Sequence, residues 1–275
     1  MTDKQQNQVS GISKDLAHLR SIVKQVAHDA LMPRYTKVKR QTKADGSIVT
    51  EADIAVQACM IQALKAAWPD VPLLGEEMSA DAQARIASSG QTYWCLDPVD
   101  GTSNFASGFP AFAISLALIS AGQVVMGVIY DPVRDECFAA ESGRGAFLNE
   151  QKLQLSAVDM PLKRCLAMID YKRLSADLVA RLVTQKPFAS QRNLGSIALE
   201  WCWAAAGRFQ IYLHGQQHLW DYAVGYLVFS EAGGYASTLS GDPITASDLR
   251  PISAFAAVDN ALFEAWGGWL NDAKV

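Results

Sequence analysis

The sequence is short of most features that would set it apart from an ordinary globular chain. It has no C-x-x-C pair, and its five cysteines (Cys59, Cys95, Cys137, Cys165, Cys202) are odd in number and widely scattered. That pattern excludes a disulfide frame and a cysteine zinc site, and it suits buried thiols in a reducing compartment. Positive charge is not in excess: the formal net charge is -4, which does not favour nucleic acid or an anionic membrane. The opening stretch MTDKQQNQVSGISKD is polar and lacks an apolar signal core, so no secretion signal is expected and a cytoplasmic location is. There is no repeat, low-complexity tract or flexible linker. With 275 residues, 50% hydrophobic and 19% charged, the chain has room for one large domain or two coupled halves.

One long apolar run is present. AFAISLALISAGQVVMGVIY (Ala111 to Tyr130) matches the ~20 residues of a membrane span. However, Ala121-Gly122-Gln123 breaks it like a tight turn, and Ile114-Ser115-Leu116 and Leu118-Ile119-Ser120 alternate. The expectation is a hairpin of two buried strands, with no membrane association.

Helix and strand signals alternate along the rest. Leu16, Leu19, Ile22, Val23 and Val26 form one face of a first helix, and Ile54 to Trp68 reads as a second. VPLLGEE, TYWCL, CLAMID and RFQIYLH read as strands. SADLVARLV, GSIALEWCWAAAG and DYAVGYLVFSEAGG read as helices, the last stopping on Gly233-Gly234. These signals predict a layered α/β fold in two intimately packed halves, residues 1–155 and 156–275.

The chemistry concentrates in WCLDPVDGTSNF, Trp94 to Phe105. An apolar strand ends in Asp97, and Asp100 follows three residues on. Pro98 stiffens the link, Gly101 permits an unusual φ, and Thr102 or Ser103 is placed to cap a helix. A helix start offers N–H groups and partial positive charge to a phosphate. Carboxylates and a phosphate share such a place only if a cation lies between them, and hard oxygen ligands suit magnesium. The plainer alternative is that both aspartates cap a turn and a helix. Glu76 and Glu77 in LLGEEM repel one another unless both face water or one binds a cation. Asp221 in LWDYAVG stands at a helix start, where an N-cap is the plainer role. Thr50 and Asp53 have near capping-box spacing.

Taken together, these stretches resemble the inositol monophosphatase family of magnesium-dependent phosphatases. The resemblance is carried by Glu76 in GEE, DPVDGTSNF at Asp97–Phe105, GRGAFLNEQKLQLS at Gly143–Ser156, NLGSIAL at Asn193–Leu199 and WD…EAGG at Trp220–Gly234. It implies the layered αβαβα sandwich of the inositol monophosphatase and fructose-1,6-bisphosphatase type, usually as a homodimer. It implies magnesium as cofactor, about two or three ions per active site. Glu76, Asp97 and the backbone carbonyl of Val99 correspond to ligands of a first ion, and Asp97, Asp100 and Asp221 to ligands of a second. Glu76 would share a third. Gly101, Thr102 and Ser103 correspond to the phosphate contacts, with Thr102, held by Asp53, orienting the attacking water. Lys43 corresponds to a lysine near the catalytic loop. Gly195, Ser196 and Ala198 would border the ligand.

The implied activity is hydrolysis of a small polyol or sugar phosphate, inositol monophosphate first, with lithium as an inhibitor. The alternative substrates are histidinol phosphate, fructose 1,6-bisphosphate and 3′-phosphoadenosine 5′-phosphate. A different class also remains open, a regulatory protein that binds the transcription machinery, as some bacterial relatives do. No cysteine or histidine near the aspartate motif stands out as a nucleophile. At His214 the sequence departs from inositol-specific members, which carry a glutamate that accepts from substrate hydroxyls. His214 is either a substrate contact of different character or a surface loop residue. His214 and His218 do not read as a zinc pair. Arg34, Lys37, Lys39, Arg40 and Lys43 form either a solvated basic segment or an attraction for an anionic substrate. Trp201 and Trp203 are expected in the core or a dimer interface.

Overall fold

The computed structural model describes residues 13–37, 41–42 and 48–272. Among the described residues, α1 (Lys14–Val26) comes first, and its N-cap Ser13 side chain accepts from Leu16 N–H. Strands β1 (Gln41–Thr42) and β2 (Ile48–Val49) pair antiparallel. Helix α2 (Glu51–Ala67) begins earlier than periodicity suggests, because Thr50 and Asp53 close a capping box. Consequently Ile54 falls on the solvent side, 61% exposed.

Next come β3 (Leu73–Gly75), α3 (Ala80–Ala87), β4 (Tyr93–Asp100), α4 (Thr102–Ser107), β5 (Ala113–Ser120), β6 (Gln123–Asp131), β7 (Glu136–Glu141), β8 (Gly145–Leu148) and β9 (Gln151–Leu153). These strands form a seven-stranded sheet in sequence order, β3 to β9. The apolar run at 111–130 is the β5–β6 hairpin. Among the described residues, no helix is long and apolar enough to cross a membrane.

The remaining elements are β10 (Leu166–Asp170), α5 (Ala176–Gln185), β11 (Ser190–Arg192), α6 (Ile197–Ala205), β12 (Ile211–Gln217), α7 (Leu219–Glu231), β13 (Tyr235–Ser237), β14 (Ile252–Ala257) and α8 (Asn260–Asn271). They build a second sheet in the order β11-β10-β12-β14-β13.

The layers follow from strands that are apolar on both faces. On β4, Trp94 and Leu96 pack under α1 and α2, while Tyr93 and Cys95 face the middle of the molecule. On the second sheet, Met168 and Tyr212 face that same middle, and Ala167, Ile169, Ile211 and Leu213 face α5 and α8. Helices α6 and α7 lie between the sheets, in one cluster with Trp201, Tyr222 and Phe229. The order is therefore helix, sheet, helix, sheet, helix, the expected αβαβα sandwich. Trp201 is a core residue, fully buried, with its indole N–H donating to Gln217 Oε1 at 2.8 Å. Trp203 is partly buried, stacked on Phe209, with the Arg134 and Arg208 guanidinium groups over its ring.

Candidate active site

Strand β4 does not stop at Asp97 as its sequence suggests. It runs on to Asp100 through an irregularity: Asp97 pairs with Ser115 and Asp100 with Ala113, so β4 holds one residue more than β5. In a regular strand, residues three apart point to opposite faces. The extra residue brings Asp97 and Asp100 to the same side, and Pro98, which has no N–H to donate, fits such a break. Gly101 follows with φ +89° as the N-cap of α4. It is Gly101, and neither Thr102 nor Ser103, that begins the helix. An added Cβ would lie 2.8 Å from the Ala111 carbonyl oxygen and 3.3 Å from that of Gly195. We expect Gly101→Ala to lower stability by roughly 1–3 kcal/mol and to slow any reaction at this turn. Thermal unfolding checks this, and an unchanged Tm would mean that the turn relaxes freely.

Asp221 approaches from the second half. It is at N3 of α7, not at the N-cap, which is His218; its Oδ2 accepts from His218 N–H at 2.8 Å. Ligand atoms of Asp97, Asp100 and Asp221 all lie within 4.8 Å of one another. Glu76, just past β3, and the Val99 backbone line the same cleft of about 210 Å³. A wider groove of about 470 Å³ elsewhere holds Asp242, Asp248 and Arg250, but Asp248 and Arg250 neutralise each other.

Hydrogen bonds fix the site from both sides. Asp97 Oδ1 accepts from Val99 N–H at 3.0 Å. Asp100 accepts from Ala198 N–H at 3.0 Å, Ile197 N–H at 3.2 Å and the Ser196 hydroxyl, so it caps the start of α6. Thr102 donates to the Val99 carbonyl at 2.9 Å and lies 3.5 Å from Asp53 Oδ1. Asp53 Oδ2 accepts from both the N–H and the hydroxyl of Thr50. Asn104, which the sequence did not single out, donates to the carbonyls of Ala111 and Leu194 at 2.7 Å each and ties α4 to the loop before α6.

The electrostatics are those of crowded buried acid. Burial raises Asp97 well above the usual carboxylate range, and the charges of Glu76, Asp100, Asp221 and Asp53 add to it. Burial lifts Asp100 to about 7 against the pull of its Ser196, Ala198 and Ile197 hydrogen bonds. Asp221 is raised by burial and then by Asp100. Burial pushes Asp53 up to about 6, opposed by the Thr50 bonds and helped by Glu77 and Glu76. Such a cluster needs protons or cations. The donors are hard oxygens with no thiolate or imidazole among them, which fits a magnesium-type ion. Cys95 is close by but buried, its thiol pushed far up, so it is no nucleophile.

Other expected residues fall as follows. Gly101, Thr102 and Gly195 line the cleft. Ser196 is buried and occupied by Asp100. Lys43, Lys39 and Arg40 lie outside the described residues; Arg34 and Lys37 bond the carbonyls of Ala30 and Pro33, one turn back. His214 is no surface loop residue: it is 3% exposed on β12. It lines the cleft. Its Nδ1 accepts from Gln216 N–H at 3.2 Å, and its Nε2 lies 3.4 Å from Asp170. Asp170, Lys172, Arg173, Glu200, Gln216 and His218 also line the cleft; of these the sequence drew notice only to His218, as a zinc partner that was set aside.

Residues 12–265 match the model of the inositol monophosphatase family. The chain is 35% identical over 233 residues to an inositol-1-monophosphatase of Bacillus subtilis, covering 82% of this chain and 86% of that one. It is 32% identical over 210 residues to a putative Nus factor SuhB of Neisseria meningitidis, covering 74% and 78%. A solved IMPase structure from Thermotoga maritima superposes with a TM-score of 0.81 at 28% identity, covering 94% of this chain and 98% of that one.

Proposed function

Since this chain belongs to the inositol monophosphatase family of phosphatases, we propose that it is a magnesium-dependent phosphomonoesterase acting on a small polyol or sugar phosphate. Inositol monophosphate is the first substrate to test. The observation that carries the reading is the trio of buried Asp97 and Asp100 with half-buried Asp221, whose oxygens converge within 4.8 Å. These three, with Glu76 and the Val99 carbonyl, would hold the ions. When bound, the ions activate water and stabilise the leaving oxygen.

The chain's own groups do the rest. First-turn N–H groups at Gly101, Thr102 and Ser103 have no partner within the helix and are placed for phosphate oxygens. Thr102 Oγ1, oriented by its bond to Val99, accepts a hydrogen bond from the attacking water. To relay a proton, the Thr102 hydroxyl turns from the Val99 carbonyl to Asp53 Oδ1, 3.5 Å away, a carboxylate that burial lifts toward neutral pH and readies to take it. The loop at Gly195 and Ser196 closes the cleft's side. The ligands come from both proposed halves, 1–155 and 156–275, so the site exists only when they pack together. We also infer a cytoplasmic homodimer.

The similarity to the Nus factor supports a second reading, a regulatory protein bound to the transcription machinery. A phosphate-release screen over small phosphomonoesters, with and without magnesium, tests the first reading. Turnover of none of them would leave the second. Lithium at millimolar level is expected to inhibit by competing for one ion position, and full activity in lithium at limiting magnesium would count against the second ion.

A further inference from the structure

Ser115 is the one buried polar residue of β5, 1% exposed in a strand of alanine, isoleucine and leucine. It lies on the face that Ala113, Ala117 and Ile119 turn toward the middle of the molecule. A hydroxyl in such a place is costly unless it donates. It donates to the Trp220 carbonyl at 3.1 Å, across 105 residues of chain. Trp220 is in the first turn of α7. Within a helix that carbonyl also accepts from the backbone four residues on, so the helix does not need this donor to satisfy it.

Both ends of the bond stand next to carboxylates of the trio. The cross-strand partner of Ser115 is Asp97, and the residue after Trp220 is Asp221. The bond therefore ties the rung that carries Asp97 to the backbone that carries Asp221. It engages no carboxylate oxygen. Asp100, by contrast, is tied to α6 through its own two oxygens. One turn beyond Trp220, α7 is pressed onto the sheet: a Cβ on Gly127 would lie 2.7 Å from Val224 Cγ2. The body of the helix is thus fixed by packing, and its first turn is fixed by Ser115. When no cation is bound, the charges of Asp97 and Asp221 push that turn away from β4. The Ser115 bond opposes this at the place where the push acts.

We propose that Ser115 is a positioning residue for the cation site, its hydroxyl setting the gap between Asp97 and Asp221 so that the trio is formed before an ion arrives. This rests on the reading of the trio as a magnesium site. A preformed site binds more tightly because less ordering is charged against binding.

The test is calorimetric titration of the metal-free protein with magnesium alone, in wild type, Ser115→Ala and Ser115→Cys. The cysteine variant fills the space with a weak donor. Both variants are expected to bind magnesium about threefold to tenfold more weakly, the scale of one hydrogen bond. In phosphate release, the magnesium concentration for half-maximal rate should rise by the same factor, while KM for inositol 1-phosphate at saturating magnesium stays put. Unchanged magnesium affinity in Ser115→Ala, with only a lower metal-free Tm, would make this a plain packing bond and overturn the proposal. So would wild-type affinity in Ser115→Cys beside weak binding in Ser115→Ala, because volume and not the hydroxyl would then matter. Wild type that binds no magnesium would bring down the magnesium reading and this proposal with it, an outcome distinct from failure of the variants alone.

Discussion

Asp97→Asn is expected to release phosphate at least about 10²-fold more slowly than wild type, a loss of about 3 kcal/mol, the scale of a single electrostatic catalytic group. The substitution is a clean one. Asn keeps the oxygen that accepts from Val99 N–H, so the turn into Asp100 survives. What goes is a buried carboxyl whose charged form is disfavoured by burial and by Glu76, Asp100 and Asp221. The same change should therefore raise the Tm of the metal-free protein while abolishing any shift in Tm on adding magnesium. That pair of opposite effects separates a lost ion site from a damaged fold. Asp100→Asn would be less informative, because Asp100 also caps α6 through Ser196, Ile197 and Ala198. Phosphate release by Asp97→Asn at the wild-type rate would remove the carboxylate cluster from the reaction.

Much of this molecule could be read along the chain, for identifiable reasons. Strands buried on both faces are continuous apolar runs, so β5 and β6 were visible once the Ala121-Gly122 turn was seen. The carboxylates were visible because they sit at strand ends and helix starts in an uncommon density. Hidden instead was whatever depends on register. The extra residue between Asp97 and Asp100 leaves no periodic trace, yet it turns both side chains to one side. The Asp170–His214 pair depends on the parallel pairing of β10 with β12, across residues distant in sequence. Glu200 looks like an ordinary polar position in an apolar helix. Only the packing of α6 between two sheets reveals it as buried, with one oxygen unused. Family resemblance supplied the Asp97, Asp100 and Asp221 set and marked His214 as a departure, but the Gln216 N–H bond that occupies its Nδ1 could not be read along the chain.

The metal-free protein is expected to lose stability as pH rises from about 4 to about 8, the reverse of ordinary acid denaturation. The sign follows from the direction of the shifts. Asp53 is lifted from 3.8 to about 6, Asp100 from 3.8 to about 7, and Glu200 from 4.5 to about 8, each chiefly by burial. A carboxyl with a higher pKa in the folded chain binds its proton more tightly there. Its contribution is complete below the unfolded value and is lost as pH climbs through the folded one. For Asp100, roughly three pKa units at about 1.4 kcal/mol each give roughly 4 kcal/mol, a large share of the 5–15 kcal/mol typical of a folded domain. Because Asp97, Asp100 and Asp221 repel one another, the loss belongs to the trio as a unit. Only at the acid end does the slope turn. Burial would raise Asp170, but its bonds to His214 and the Lys172 N–H outweigh that and hold it at about 2, so its contribution disappears as pH falls through that value. Thermal unfolding in chelator across this range should show Tm falling on the order of 10 °C toward the alkaline side. Magnesium, binding only the deprotonated ligands, should restore stability most at the alkaline end and flatten or invert the slope. A metal-free Tm that stays level across the range would mean that the three carboxylates do not crowd as they are drawn, and an equal gain from magnesium at every pH would mean that the ion binds elsewhere.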